Sequence, residues 1–497
     1  MKFSYLDSIA LSDVPVLSAE GLADAVVARV DAGQRVLALF GLPEARGVGL
    51  FCLLADESHR LTAMRTTPLN AFDSMTPRCP QVHLFERELF EQWNIRPEGH
   101  PWLKPVRFCP PQNGATETRP GPAQTRYYRI SGNEVHEVAV GPVHAGIIEP
   151  GHFRFQCYGE NVMHLEIQLG FQHRDVERMV RTGPAMRTLP LMECVAGDST
   201  IAHATAYSLL LERLTGATVP ERGRLIRRAA LELERLANHT GDLGAIGGDT
   251  GFLPTASWNG RIRGDFLNMT ASLCGNRFGR GLVCPGGTAQ DADTELCQDL
   301  IRRLHEVHRD VRGAVDIMLA SHSVLARLTG TGTVSRREAV ELGLVGMAAR
   351  ACGLGRDARF AFPTDDLSTE GLTRRVERTG DVLARTLVRS KEVDDSASAV
   401  EAALMRLSFA PTEERCRAEL PATLPANRCA VGLVEGWRGE VCHVGITDEN
   451  GAFRTYKIID PSFHNWMGLA VALRGEQISD FPLCNKSFNL SYCGHDL

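Results

Sequence analysis

His144, Glu149 and His152 lie close together in Gly141–Phe155, a segment otherwise rich in glycine, proline and small apolar residues. Imidazole titrates near neutrality, and glycine lets backbone approach a ligand closely, so this turn has the groups for proton transfer or ligand capture. The same pattern also suits a hairpin whose histidines satisfy backbone groups. His173 and Glu177 stand four apart in LGFQHRDVER, the spacing that puts two side chains on one helix face and resembles half of a metal site. Asp198 and His203 flank a short polar stretch. The C-terminal run Ser487–Leu497 is rich in polar residues, with Tyr492, Cys493, His495 and Asp496 close together, a pattern that also fits a frayed tail. Phe85–Ile95 followed by Glu98-Gly99-His100-Pro101 reads as a charged helix and a turn, and its spacing equally suits a surface helix with i,i+4 pairs.

The elements that must position these groups follow from periodicity. Residues 34–41 and 47–54 are short apolar runs bounded by glycine and predict buried strands. Residues 85–93 predict an amphipathic helix. Composition then shifts: Cys109–Thr125 holds four prolines and no apolar period, which marks a linker. Residues 127–130 and 135–140 are strand-like. Residues 168–319 are mostly helical, with Leu225, Ala229, Leu233 and Leu236 on one face and Leu304, Val307, Val311, Val315 and Met318 on another. Residues 431–446 and 453–459 predict a hairpin closed near Asn450-Gly451, followed by a helix and an extended tail. The fold class is α+β. A small N-terminal α/β domain over 1–108 and a linker over 109–125 precede a large, mainly helical domain with β hairpins over 126–497.

Composition excludes several classes. The 497 residues are 43% hydrophobic and 23% charged, which is ordinary for a globular chain of two or three units. A net charge of -6 gives no basic field, so no nucleic-acid partner is expected. No apolar run reaches membrane-spanning length and the N-terminus has no signal core, so a cytoplasmic location is expected. The 14 cysteines are scattered, with no Cys-x-x-Cys pair. Neither a disulfide framework nor a cysteine-ligated cluster in this chain is expected, and most of these thiols should be small buried groups.

Taken in order along the chain, these motifs resemble a known family. The Glu86-Arg87-Glu88 helix before Gly99-His100-Pro101 resembles the small hydrophilic subunit of respiratory complex I. Gly141-Pro142-x-His144 with Glu149-Pro-Gly-His152-Phe-Arg, and Leu169-Gly-Phe-x-His173-Arg174-x-x-Glu177, resemble the quinone-site large subunit of complex I. They resemble still more the large subunit of membrane-bound, energy-converting nickel–iron hydrogenases of the formate-hydrogenlyase type. Gly275-Asn-Arg277, Pro285-Gly-Gly-x-x-Gln-Asp291, Asp460-Pro-Ser-Phe-His-Asn465 and Asp480-Phe-Pro482 continue the series. A fused small-plus-large subunit is itself the formate-hydrogenlyase arrangement.

In that family two Cys-x-x-Cys pairs hold nickel and iron. Here the early pair falls on Ala196 and Ser199, just before Ala202-His203-Ala-Thr-Ala-Tyr207, and the late pair falls near Ser491 and Cys493 or Gly494. The resemblance therefore implies a hydrogenase scaffold that has lost its metal, with no metal ligands in this chain. It further implies an iron–sulfur small subunit carrying the clusters, integral membrane ion-pumping subunits as partners, a peripheral place on the inner face of the cell membrane, and quinone as ligand of the emptied cavity. His152 matches a quinone-binding loop histidine, whereas the matching tyrosine position is Gly197; Tyr492 or Tyr207 would have to replace it. His152, Asp198, His203 and Glu149 are the expected catalytic, proton-carrying groups. His144, His173, Arg174, Glu177, Arg277 and Tyr492 are the expected cavity lining. Two alternatives to an electron-accepting role stand beside this reading: a non-redox coupling scaffold of an ion-translocating complex, and a hydrogenase with an altered metal site.

Overall fold

The structure is a computed structural model, and it describes all residues except 57, 59, 113–120, 122, 123, 145–147, 365–368 and 412–414. Much of the expected linker lies outside the described residues.

The N-terminal region builds one sheet, order β1-β6-β5-β4, from β1 (Lys2–Ser4), β4 (Arg35–Glu44), β5 (Gly47–Ala55) and β6 (Arg60–Thr66), with β3 (Val16–Leu17) parallel to β6. The short strand β2 (Ile9–Ala10) does not join it. Helix α1 (Ala19–Asp31) covers the sheet, and Ser18 caps it by accepting from the Gly21 amide. β7 (Ala71–Asp73) and helix α2 (His83–Trp93) lead to β8 (Arg96–Glu98), which pairs with β7. Then β9 (Val135–Val140), β10 (His152–Tyr158) and β11 (Asn161–Gln168) form an antiparallel sheet. Residues 127–130 are not a strand. Their amides are taken by side chains instead of a ladder: Tyr128 donates to Glu166 at 2.8 Å and Ile130 to Gln156 at 3.3 Å.

Short helices α3 (Val176–Val180) and α4 (Thr188–Met192) precede the long ones, α5 (Thr200–Thr215), α6 (Glu221–Asp249) and α7 (Leu253–Cys274). The two-residue strands β12 (Val283–Cys284) and β13 (Gly287–Thr288) separate these from α8 (Thr294–Leu319). Four short helices, α9 (His322–Leu328), α10 (Arg336–Glu341), α11 (Gly346–Ala351) and α12 (Ala358–Ala361), lead into α13 (Val382–Phe409). The apolar stripes read from the sequence form the bundle core: Leu225, Ala229, Leu233 and Leu236 of α6 pack with Leu304, Val311, Val315 and Met318 of α8.

Beyond the bundle, residues 431–446 are two strands, not one arm. β14 (Arg428–Gly436) turns at Trp437-Arg438 into β15 (Gly439–Thr447), with Gly436 opposite Gly439 at φ +140°. β16 (Phe453–Ile459) completes the meander as expected around Asn450-Gly451. The expected helix after it is α14 (Pro461–Ala472), and the tail beyond is helical rather than extended: α15 (Phe481–Phe488) and α16 (Tyr492–Asp496).

Residues 1–108 build their own sheet and share its apolar core with the C-terminal meander. β2 pairs antiparallel with β14, Ile9 opposite Cys429 and Ala10 opposite Arg428. Leu39, Phe51 and Phe85 share one apolar core with Val431, Leu433, Ile446, Ile459 and Phe463. Phe85 and Phe463 rings lie 5.0 Å apart. The apolar face of the first sheet is thus covered by the C-terminal meander.

Charges fasten this junction. The helix α2 read as a surface element is inserted: Glu86, Glu88 and Glu91 are buried. Glu86 accepts from the Met75 amide and from Ser74 and Thr76; Glu91 accepts from the Val106 and Arg107 amides. Glu88 pairs with Arg107 and takes two hydrogen bonds from the Lys457 ammonium at 2.6 Å, and Lys457 also reaches Glu177 at 3.0 Å. Glu88→Ala would leave Arg107 short of its carboxylate and Lys457 with Glu177 alone. Removing one partner of a buried pair costs about 3–5 kcal/mol, so a clearly lower urea midpoint is expected. Arg78→Ala, which breaks the exposed pair with Asp24, should cost less than about 1 kcal/mol. Equal midpoints for the two variants would refute this account of the junction.

Candidate functional site

The chemistry-bearing segments meet where the C-terminus enters the molecule. Leu497 is 1% exposed and Asp496 is fully buried. Asp496 accepts from the amides of Gly170 at 2.8 Å and Gln172 at 3.0 Å, and its carbonyl lies 2.7 Å from Nδ1 of His173. Arg107 Nε donates to the His495 carbonyl at 2.9 Å. Arg174 bridges the segment before α5 and the C-terminal segment, donating to the carbonyls of Cys194 at 2.5 Å, Val195 at 2.9 Å and Cys493 at 2.9 Å.

His173 and Glu177 do not share a helix face. Asp175 takes a left-handed conformation, φ 61°, so the helix begins only at Val176. His173 faces the chain end. Glu177 faces Lys457 and accepts from the Ile458 amide at 2.9 Å. Arg277 stands apart from both, exposed on the loop after α7 and beside Gly264.

The opening loop supplies Glu149, whose carboxylate acts on the Cys493 thiol electrostatically. Gly151 faces the Tyr492 ring, where a Cβ would lie 2.6 Å from a ring carbon. The loop histidines bind backbone across the turn: His144 Nε2 is 2.9 Å from the Gly151 carbonyl and His152 Nδ1 is 3.1 Å from the Gly141 carbonyl. Nε2 of His152 is buried with no hydrogen-bond partner among the described residues. The Tyr127 ring lies 5.2 Å from the imidazole.

At the early segment, α5 begins after Ser199 without a side-chain cap of its own. Glu234 of α6 supplies it, accepting from Ile201 N at 2.7 Å and Ala202 N at 3.3 Å. Asp198 and Arg438 form a two-pronged ion pair at 2.6 and 2.7 Å, and Arg438 also donates to the Asn489 carbonyl at 2.6 Å and reaches Ser199 Oγ at 3.4 Å. The guanidinium lies over the Trp437 ring at 3.9 Å, and Trp437 Nε1 donates to the Asp198 carbonyl. Cys194, Gly197 and a third of the Asp198 side chain face outward. Behind them the groups are packed against one another rather than spaced around an open pocket.

Beneath the pair runs a wire that the sequence reading only half identified. His203 Nε2 lies 3.1 Å from Asp460, His203 Nδ1 lies 3.0 Å from His443 Nε2, and His443 Nδ1 lies 2.8 Å from the Tyr456 hydroxyl. All four are buried. Asp460 also caps α14, accepting from Ser462 N, and Gly494 approaches it so closely that a Cβ would lie 2.7 Å from its carboxyl carbon. His443 lies on β15, which is buried throughout, and Tyr456 on β16, buried but for Arg454, so neither strand carries an in–out alternation that would single them out. His203 follows from its place in the first turn of α5.

Burial acts to raise the Asp460 carboxyl, yet His203 and Arg438 hold it below the usual range. Burial drives His443 well below and Tyr456 well above their ordinary values. Burial, then Glu149, pushes the Cys493 thiol up to about 12, and burial does the same for Tyr492. A neutral Cys493 thiol, Ala196, Ser199 and Ser491 do not fit a binuclear nickel–iron centre, which needs thiolates. Among the described residues no group of three or more His, Cys, Asp or Glu side chains is arranged to hold a metal ion.

Burial and the nearby Asp198 charge push Glu234 up to about 8, against its two amide donors. A carboxyl raised in the folded state binds a proton that the unfolded chain has released, so its contribution to stability fades as pH rises from about 4.5 toward 8. Glu234→Gln should therefore flatten the decline in unfolding free energy between pH 5 and pH 8. Parallel profiles for the two proteins would contradict it.

With this geometry in view, comparison with known proteins identifies the chain's relatives. The family described as "Respiratory-chain NADH dehydrogenase, 49 Kd subunit" matches residues 249–428. Formate hydrogenlyase subunit 5 of Escherichia coli is 30% identical over 442 residues, 85% of this chain and 76% of that protein. The membrane-bound hydrogenase subunit alpha of Pyrococcus furiosus is 28% identical over 71% of this chain and 85% of its own length. NADH-quinone oxidoreductase subunit 4 of Thermus thermophilus is 27% identical over 70% of this chain and 90% of its own. One solved structure, a chain of the membrane-bound sulfane sulfur reductase, an archaeal respiratory membrane complex, shares the fold with a TM-score of 0.67 and 22% identity, over 74% of this chain and 100% of that one. The resemblance carried by the ordered motifs is thus borne out over most of the chain, which belongs to the family of formate hydrogenlyase subunit 5.

Proposed function

We propose that this chain is a subunit of a complex I-like or hydrogenase-like membrane-associated oxidoreductase complex, and that it works there without a nickel–iron centre. Its place is against an iron–sulfur partner, on the rim formed by Cys194, Gly197 and Asp198, peripheral to membrane subunits. Among the described residues no helix is long and apolar enough to cross a membrane, so membrane attachment comes through partners. The observation that carries this reading is an ion pair, Asp198–Arg438, beside the positions where the family has thiolates, above the buried hydrogen-bonded series Asp460–His203–His443–Tyr456.

The ion pair places Asp198 at the surface that the partner would cover. His203 accepts or releases a proton between Asp460 and His443, and the Tyr456 hydroxyl ends the wire. Electron arrival at the partner would be balanced by proton movement along these groups. Quinone is the proposed acceptor, taken up beside the loop of Glu149 and His152, where the unpartnered Nε2 of His152 is the free hydrogen-bonding atom. The non-redox coupling role draws on one specific observation, the glycine at position 197, which removes one half of the quinone clamp implied by the family.

The complex purified from its host tests this. Nickel is expected well below one atom per chain by mass spectrometry; stoichiometric nickel would overturn the metal-free assignment. Reoxidation of dithionite-reduced clusters by decylubiquinone should slow at least tenfold in His152→Ala and in His203→Gln with assembly intact, within the range of about 10²–10⁴ for removing a positioned acid–base group. Full activity of both variants in an assembled complex would exclude the proposed path. Wild-type complex whose clusters are never reoxidised by quinone would favour the coupling role.

A further inference from the structure

A cavity of about 1180 Å³ opens between the N-terminal strands and the helical domain, walled by β1, β2, α5, α6 and β14. Its floor is apolar, with Leu209, Leu231 and Phe362. Its charge is not balanced: eight Lys and Arg side chains line it against five Asp and Glu. The buried carboxylates are already taken. Glu212 pairs with Arg227, Glu232 with Arg235, and Glu435 with Arg350. The other two, Asp7 and Asp13, are exposed at the mouth.

Three arginines are left over. Arg213 is nine-tenths buried, it forms no ion pair within 4 Å with a described residue, and its Nη2 has no acceptor. Its one hydrogen bond goes from Nη1 to the Val431 carbonyl, and its guanidinium lies 5.1 Å from the Tyr5 ring centre. Arg428 donates only to the side chain and carbonyl of Ser8. Arg60 stands exposed at the start of β6. A buried guanidinium without a counter-charge costs free energy unless an anion completes it. Burial accordingly draws Arg213 down to about 10, still charged at neutral pH.

We propose that this cavity binds an organic phosphate, an anionic head held by Arg213 with Arg60 and Arg428 and an apolar body lying on Leu209, Leu231 and Phe362. Guanidinium groups match phosphate oxygens in number and geometry, and cavities of roughly 300–1,000 Å³ hold ligands of nucleotide or short-lipid size. The site joins the first strands to α5 and α6, so occupancy ties the N-terminal segment to the helical domain.

Calorimetric titration of the full chain with inorganic phosphate, AMP and octyl phosphate tests the proposal. Saturable one-to-one binding of AMP or octyl phosphate is expected, at least tenfold tighter than inorganic phosphate, with a raised melting temperature. The tighter of the two tells a nucleotide-like source from a lipid-like one. Arg213→Met and Arg60→Glu should each weaken that binding at least fivefold. Arg60 lies on the exposed edge, so its variant keeps the test open if Arg213→Met fails to fold. Absence of saturable binding by both organic phosphates, or unchanged affinity in Arg60→Glu, overturns the assignment.

Discussion

The last seven residues are held in the interior, and the rest of the site depends on that. Burying such a segment requires a partner for each of its polar backbone groups. Those partners come from distant segments: the amides of Gly170 and Gln172 for Asp496, Arg107 for the His495 carbonyl, and Arg174 for Cys493. Even the Leu497 carbonyl accepts from the amides of Arg174 and Asp175. With the end so fixed, Gly494 can press on Asp460, Asp460 can meet His203, and the wire to Tyr456 follows.

Four soft anionic ligands around metals would require deprotonated thiols at positions now occupied by Ala196, Ser199, Ser491 and a neutral Cys493. In their neighbourhood stands a single carboxylate–guanidinium pair with geometry that holds both charges without a metal. Such a pair is rigid, and its partial exposure through Asp198 leaves it responsive to whatever covers that face.

Periodicity made the bundle legible, because Leu225 to Leu236 and Leu304 to Met318 bury one stripe of each helix against another. The ordered motifs made the family legible, because spacing along the chain survives where single residues do not. The sequence reading placed Glu149, Asp198, His203 and the C-terminal run in the site, and the structure brings these to one region. It missed Arg438, His443, Tyr456 and Asp460 as members: an arginine beside a tryptophan in a tight turn, and two polar residues inside apolar strands, declare themselves only once the strands pair. The helical tail was hidden because α15 and α16 are short and are stabilised by burial more than by propensity. The insertion of Glu86, Glu88 and Glu91 was hidden because their donors lie elsewhere in the chain, including Lys457 for Glu88.

The pairing of β2 with β14 has a consequence for how the molecule is made. Ile9 meets Cys429 across more than four hundred residues of chain. During synthesis the first sheet emerges long before the meander that covers its apolar face, so it must wait with that face uncovered, a state that invites chaperones or aggregation. Contacts of such sequence separation also slow folding. Joining both regions in one polypeptide offsets this: a tether converts their encounter from a bimolecular event into an intramolecular one, at an effective concentration that two separate chains would not reach by diffusion.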